Sequence, residues 1–399
     1  MADLSTCLPL IPSSVQVAYE RIKDKVHTTP LLNNQTISAI ASTQLEGEET
    51  APKLKLWFKC ENMQKIGAFK ARGGFHAVGR VIEQYGLEEV KKRGVVTHSS
   101  GNHAQATALA AATYGVPSYI VMPSISTPSK IAGTQKYSPN VLFSGSVSQE
   151  REAKVAEVQA KTNAIFVPPY DHPDIILGQG TASYELSGQY AKAKAELGQS
   201  PNLRAVLTPC GGGGLLSGTV TWFSDKPTYV FGAEPSYQGA NDLQRGLAAS
   251  PPTRIETVKT LTIADGLRTP VGKIPWSVLT NGSSTKPKFL EGVYSVDEEQ
   301  IKQAMKLVLE RLKVFIEPSS AVPLAVVLYD REWRKWVVEK QKEEGTGAEW
   351  DVAIIFSGGN TTIDAIVGLF GADQGKVQQE RAEGVVGSDG ERVAENVPG

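Results

Sequence analysis

Cysteine is scarce in this chain: three residues in 399, Cys7, Cys60 and Cys210, odd in number and far apart. That excludes a disulfide framework or a cysteine-based metal knuckle and suits a reducing compartment. Net charge is almost absent too, at -1 from 41 Lys+Arg against 42 Asp+Glu, so there is no electrostatic reason to expect nucleic acid or an anionic membrane as partner. No apolar run reaches the length of a bilayer-spanning helix. The opening residues, MADLSTCLPLIPSS, have no basic segment ahead of an apolar core and no arginine. A secretory signal and a mitochondrial presequence are therefore not expected, and a cytoplasmic location is. There is no internal repeat. What is present, 41% hydrophobic and 21% charged residues over 399 positions, is enough for two packed lobes.

Short β-rich runs alternate with helical ones through the middle of the chain. GVVT (94–97) precedes an alanine-rich helix at 104–114, and further strands are expected at 118–122, 141–143, 164–167, 205–208 and 229–233. Helices at 128–137, 148–162, 179–195 and 215–223 alternate with them. This spacing predicts βαβ units, with parallel sheets covered by helices, and the fold class is α/β. Beyond a Pro/Ser/Thr-rich stretch at 246–262, helices are expected at 271–281, 297–312 and 323–342, and AIIF (353–356) is one more buried strand. The tail, 372–399, is polar with no apolar face and is expected to be disordered.

Chemistry-bearing residues gather at the ends of these strands, where open α/β sheets bind ligands. In WFKCENMQKIGAFKARGG (57–74) a β-rich run leads through a Gly-containing turn to Lys70, at the first turn of a helix. Such a lysine is either a solvated helix residue or an amine of lowered pKa poised to attack an aldehyde. Ser99-Ser100-Gly101-Asn102-His103 offers helix-start N–H groups, hydroxyls and an amide to a carboxylate. A plain N-cap accounts for one of those five residues. Gly211-Gly212-Gly213-Gly214 opens a helix directly after a strand, an arrangement in which backbone N–H groups converge on a phosphate. No Lys-Ser/Thr pair follows and the spacing is not GxGxxG, so a phosphate monoester fits better than a nucleotide. Ser357, in SGGN after AIIF, places a hydroxyl at a strand end. Glu234 and Asp242 share a loop, as surface charges or as hard ligands for a divalent cation. One ligand brings an aldehyde, a phosphate, a ring nitrogen and a carboxylate together: pyridoxal phosphate carrying an amino acid.

The segments KCENMQKIGAFKARGG, THSSGNHAQA, PPYDHPDIILGQGT, PCGGGGLLSG, TIADGL, FIEPSSA and SGGN together resemble the fold-type II pyridoxal-phosphate enzymes, from about Val15 to Leu369. Within them the resemblance is to the serine racemase, serine/threonine dehydratase and threo-3-hydroxyaspartate ammonia-lyase group. It implies a tryptophan synthase β-like architecture of two parallel-sheet lobes with the cofactor between them. The large cofactor-binding domain would take 1–84 and 166–371, the small mobile domain 85–165, and the assembly would be a homodimer.

By the same resemblance Lys70 carries the cofactor and takes the Cα proton, Phe69 packs on the cofactor ring and Asn102 bonds its 3-hydroxyl. Gly211, Gly212, Gly213 and Gly214 hold the phosphate, and Ser357 faces the pyridine nitrogen. Ser99, Asn102 and His103 bind the substrate carboxylate, and Ser100 is the proton donor and acceptor on the face opposite Lys70. Arg151 and Tyr170 are candidate substrate selectors, Arg151 with a β-carboxylate as its natural partner. Glu234, Asp242 and the carbonyl of Ala240 would hold Mg²⁺ or another divalent cation, although EPSYQGAND is longer than the family's E-P-x-x-A-D-D and carries Asn241. His27, His76, His98 and His172 are read as structural. The implied activity is a dehydratase, an ammonia-lyase acting on serine, threonine or threo-3-hydroxyaspartate. The alternative is an amino-acid racemase using Lys70 and Ser100.

Overall fold

The computed structural model describes residues 4–99, 101–145, 148–345 and 349–371; Ser100 and the 372–399 tail, both singled out above, lie outside the described residues. Met1–Asn360 forms one compact unit and Thr361–Gly399 a second. In the second, Thr362 caps a helix over 363–371, its hydroxyl accepting from the Ala365 N–H at 3.1 Å.

The first unit contains ten strands among its described residues: β1 Leu31–Asn33, β2 Leu54–Cys60, β3 Val95–His98, β4 Ser118–Pro123, β5 Asn140–Ser144, β6 Ile165–Phe166, β7 Leu203–Pro209, β8 Tyr229–Pro235, β9 Gly292–Val296 and β10 Trp350–Phe356. They form two sheets, β1-β2-β10-β7-β8-β9 and β5-β4-β3-β6. Only the β1–β2 pair is antiparallel. The α/β class is thus observed, with parallel sheets whose central strands are apolar on both faces.

Strand β10 (WDVAIIF) is buried along its whole length. Its one charged residue, Asp351, survives there because three donors meet its carboxylate: Trp57 Nε1 at 2.7 Å, Tyr190 OH at 2.7 Å and Lys194 Nζ at 2.8 Å. The strand ends are therefore fixed relative to one another. Ser357 and Gly358, just beyond β10, lie beside Phe69 and Ala68, which follow β2 after two short 3-10 turns at Glu61–Met63 and Lys65–Gly67.

Three helices converge beneath this point. Helix Lys70–Tyr85 packs on Pro173–Glu196, which packs on Gly214–Phe223. Glycines permit the approach. A Cβ on Gly178 would stand 2.7 Å from Gly73 Cα, and one on Gly180 would stand 2.8 Å from Gly218 O. Gly178 also explains why the sequence pattern starts the middle helix late, at 179. In the structure His172 caps it, with Nδ1 accepting from Asp174 N at 3.2 Å, and Pro173 occupies the first turn. The expected single helix at 323–342 is two helices, Pro318–Tyr329 and Arg331–Glu343, divided at Asp330, whose side chain caps the second.

Candidate active site

After β2 the chain turns through Ile66 (φ 59°) and Gly67 (φ 70°), and Ala68 bridges Gly358. Phe69 N–H then donates to Ser357 O at 3.0 Å, and the helix begins at Lys70. The Lys70 Nζ donates to Pro169 O at 2.8 Å and stands 5.3 Å from the Phe69 ring centroid. The residue keeps some exposure, yet protein packed around the amine keeps water from it, and this burial lowers its pKa to about 8. A solvated surface lysine would not be held this way.

Opposite it, Gly101 N–H donates to Ser99 Oγ at 3.2 Å and the helix begins at Asn102. The Asn102 amide is fixed at both ends: Nδ2 donates to Glu317 Oε1 at 3.2 Å, and Oδ1 accepts from Asn360 Nδ2 at 2.7 Å. His103 can serve a carboxylate only through its backbone. It is buried, and its Nε2 faces the Val167 carbonyl at 3.3 Å, which can only accept, so the proton is assigned to Nε2. Burial drives the imidazole pKa down to about 3, with the Lys70 charge adding to the effect. The ring is neutral and its Nδ1 is a bare acceptor, so what His103 offers a carboxylate is its helix-start N–H and not an imidazolium.

Glu317, in FIEPSSA, was not singled out from the sequence, and it links these pieces. Its carboxylate accepts from Asn102 and, at 3.1 Å, from Asn360 N–H. Burial, reinforced by Asp265, raises its pKa from the usual 4.5 to about 7, although Lys130, Asn102 and Asn360 pull it down. The folded state thus holds a proton that the unfolded chain releases, and this contribution to stability falls as pH rises from about 4.5 to about 7. Glu317→Gln is expected to flatten that dependence. The variant should gain on the parent by about 2–3 kcal/mol between pH 5 and pH 7, read from denaturant midpoints at the two pH values.

Three of the four glycines stand where a side chain would collide with its surroundings. A Cβ on Gly211 would stand 2.9 Å from Leu267 Cα, one on Gly212 2.4 Å from the Tyr170 ring, and one on Gly213 (φ 87°) 2.7 Å from Pro275. Tyr170 therefore lies over the glycine loop, one residue beyond the carbonyl that holds Lys70, and burial raises its phenol to about 12. Arg151, on helix Ser148–Thr162, is near enough for its charge to act on both Tyr170 and His98, lowering the pKa of each, against the effect of burial at Tyr170 and with it at His98. Ser357 is buried, 3.1 Å from Ser320 Oγ. Because Ser320 gives its proton to Gly358 O at 2.6 Å, the Ser357 hydroxyl is the donor in that pair.

In the proposed cation loop, Glu234 accepts from the N–H groups of Leu243 (3.1 Å) and Gln244 (2.9 Å), and Asp242 accepts from Val271 N–H (2.9 Å). The extra length is absorbed by a left-handed turn at Gln238 (φ 50°) and Gly239 (φ 76°). Burial raises both carboxyls, Asp242 to about 6, and Asp242 raises Glu234 further. Burial and the neighbouring Asp242 both disfavour the ionised Glu234, a cost that a cation beside it would relieve.

The residues from 23 to 340 match the sequence pattern of the family described as "Pyridoxal-phosphate dependent enzyme". The chain belongs to that family. It is 38% identical to a serine racemase of Dictyostelium discoideum over 88% of this chain and 95% of that one. It is 34% identical to a beta-hydroxyaspartate dehydratase of Paracoccus denitrificans, over 88% and 96% of the two chains. The structure of maize serine racemase superimposes with a TM-score of 0.75 at 33% identity, covering 93% of this chain and 99% of that one. This is a pyridoxal-phosphate-dependent enzyme of the fold-type II class. The site fits the cofactor on its own chemistry, with a low-pKa amine, a glycine loop that admits no side chain at Gly211, Gly212 or Gly213 and a hydroxyl just past the end of β10.

Proposed function

We propose that this chain is an ammonia-lyase that eliminates the β-hydroxyl of serine, threonine or threo-3-hydroxyaspartate. The observation that carries the reading is the Lys70 amine, lowered to about 8 and held 2.8 Å from Pro169 O between the carboxylate turn and the glycine loop. Bound pyridoxal phosphate supplies the electron sink for the charge left at Cα. Phe69, Asn102, Gly211–Gly214 and Ser357 would hold it. Ser99 and the N–H groups of Asn102 and His103 would hold the substrate carboxylate, and Tyr170 and Arg151 would bound its side chain.

Lys70, as the free amine, would take the Cα proton and return it to the departing hydroxyl as water. The enamine left behind hydrolyses to a 2-oxo acid and ammonia. One base on one face suffices for this. Inversion at Cα needs a second proton donor on the opposite face, a role that falls to Ser100. Racemisation is the second reading, favoured by the 38% identity to a serine racemase. Following 2-oxo acid and enantiomer ratio together, for L-serine, L-threonine and both threo-3-hydroxyaspartates, separates the two. Oxo acid outpacing the D-enantiomer supports the lyase, and the reverse order makes it a racemase.

The proposal extends to a small domain at 85–165 that moves over the substrate, to a homodimer and to a cytosolic location. Among the described residues no helix is long and apolar enough to cross a membrane. It also includes a divalent cation held by Glu234, Asp242 and the Ala240 carbonyl. Mg²⁺ at about 100 times its Kd should then add about 2.7 kcal/mol of stability, a rise of several degrees in Tm. Glu234→Gln with Asp242→Asn should abolish the rise; a rise that persists in that variant would place the cation elsewhere.

A further inference from the structure

Lys130 sits in helix Pro128–Gln135, which packs with helix Asn102–Tyr114 against β4 and β5. The two helices are close: a Cβ on Gly133 would stand 2.8 Å from Gln105 Oε1. From there the Lys130 side chain runs across the carboxylate turn. Its Cδ, Cε and Nζ each lie 3.9 Å from where a Gly101 Cβ would be. The ammonium is paired with Asp265, which belongs to the opposite wall of the cleft. That wall is firm, since Gly266 N–H donates to Ser319 Oγ at 3.0 Å at the head of helix Pro318–Tyr329.

The turn read as the substrate-carboxylate site therefore has a full positive charge lying on it, already engaged by a counter-ion. Asp265 is 39% exposed and Lys130 18%. An ion pair with that much solvent access contributes little, because water screens it and holding two side chains in one geometry costs entropy. A carboxylate held by helix-start N–H groups beside an ammonium gains more, because charge-assisted hydrogen bonds add to the ion pair. A substrate carboxylate on this turn would therefore compete with Asp265 for the Lys130 ammonium. It would also be felt at the base of the site, because Asp265 and Lys130 act with opposite sign on Glu317, the partner of Asn102.

We propose that Lys130 is a substrate-recognition residue that exchanges counter-ions, pairing with Asp265 while the site is free and with the α-carboxylate of the bound amino acid afterwards. This rests on the reading of 99–103 as the carboxylate turn. A simple clasp between the two walls is the competing role, and the sign of one variant separates them. In a clasp, Lys130→Met and Asp265→Asn break the same bond and act in the same direction. In an exchange, Asp265 competes with the substrate, and its removal helps.

The test is calorimetric titration of the holoenzyme with glycine, which has the carboxylate and no β-hydroxyl to lose, and with glycinamide. Lys130→Met is expected to weaken glycine about tenfold, a 1.4 kcal/mol change, and to weaken glycinamide much less. Asp265→Asn is expected to tighten glycine about threefold, and Lys130→Arg to retain most of the parent's affinity. Asp265→Asn weakening glycine as much as Lys130→Met does would overturn the exchange in favour of a clasp. Equal loss for glycine and glycinamide in Lys130→Met would remove Lys130 from carboxylate recognition. A parent enzyme with no preference for glycine over glycinamide would instead sink the reading of the 99–103 turn, and the exchange with it.

Discussion

Lys70→Ala is expected to lose about 10⁴-fold or more in kcat, the upper end of what one positioned base supplies, while leaving the fold intact. The variant removes the amine that burial has brought down to about 8, and nothing described nearby replaces it. His103, the imidazole beside it, is held neutral with a pKa of about 3 and gives its Nε2 proton to a carbonyl. Tyr170, with its phenol near 12, is too weak an acid to serve as a base at neutral pH. Stability should change little, because Lys70 makes one side-chain hydrogen bond, to Pro169 O, and burying its ammonium opposes folding. Borohydride reduction followed by peptide mass analysis gives the covalent readout, a pyridoxyl mass on the Lys70 peptide of the parent and none in the variant. Retention of a tenth of the parent's activity would move the base elsewhere and end the mechanism proposed above.

Much of this site is legible in sequence because its pieces are local. A turn of small polar residues before an alanine-rich helix, four glycines after a strand and a lysine after a glycine turn each announce a backbone geometry by themselves. What is not legible depends on contacts far apart in the chain. Glu317 is one acidic residue among many until the fold sets it against Asn102, 215 positions away. Lys130 looks like a surface cation until Asp265, 135 positions on, faces it. His103 reads only as a carboxylate binder, and its neutral ring shows once burial is known. The edge strand β9 (GVYSV) went unseen because only two of its five residues are buried, so its apolar alternation is faint. Gly178 misled in the other direction, lowering helix propensity where close packing needed room.

Arg72→Met should cost about 3–5 kcal/mol of stability, the usual result of stripping one partner from a buried ionic network. Arg72 follows Lys70 by two residues in the same helix and is fully buried. Its guanidinium spans Glu61, through Nε at 2.7 Å and Nη2 at 2.8 Å, and Glu185, through Nη2 at 3.1 Å and Nη1 at 3.2 Å. Lys59 Nζ completes the set at 2.6 Å from Glu185. Two cations and two anions balance, and Thr29 and Gln189 fill the remaining bonds. Burial alone would raise the Glu61 carboxyl, and Arg72 overrides it, holding the pKa below its ordinary value. That depression is stability present at neutral pH and lost as pH falls through the acid range. Removing Arg72 leaves one uncompensated buried charge, so the cost should be largest near pH 7 and shrink towards pH 4 as Glu61 takes up a proton. Glu61→Gln added to Arg72→Met restores neutrality and should recover part of the loss, where a cavity left by the smaller side chain would not be relieved by it. Denaturant melts of the single and double variants at the two pH values decide the matter. A single variant that is no worse at pH 7 than at pH 4, or a double that is worse than the single, would mean that the network holds the helix by packing and not by charge.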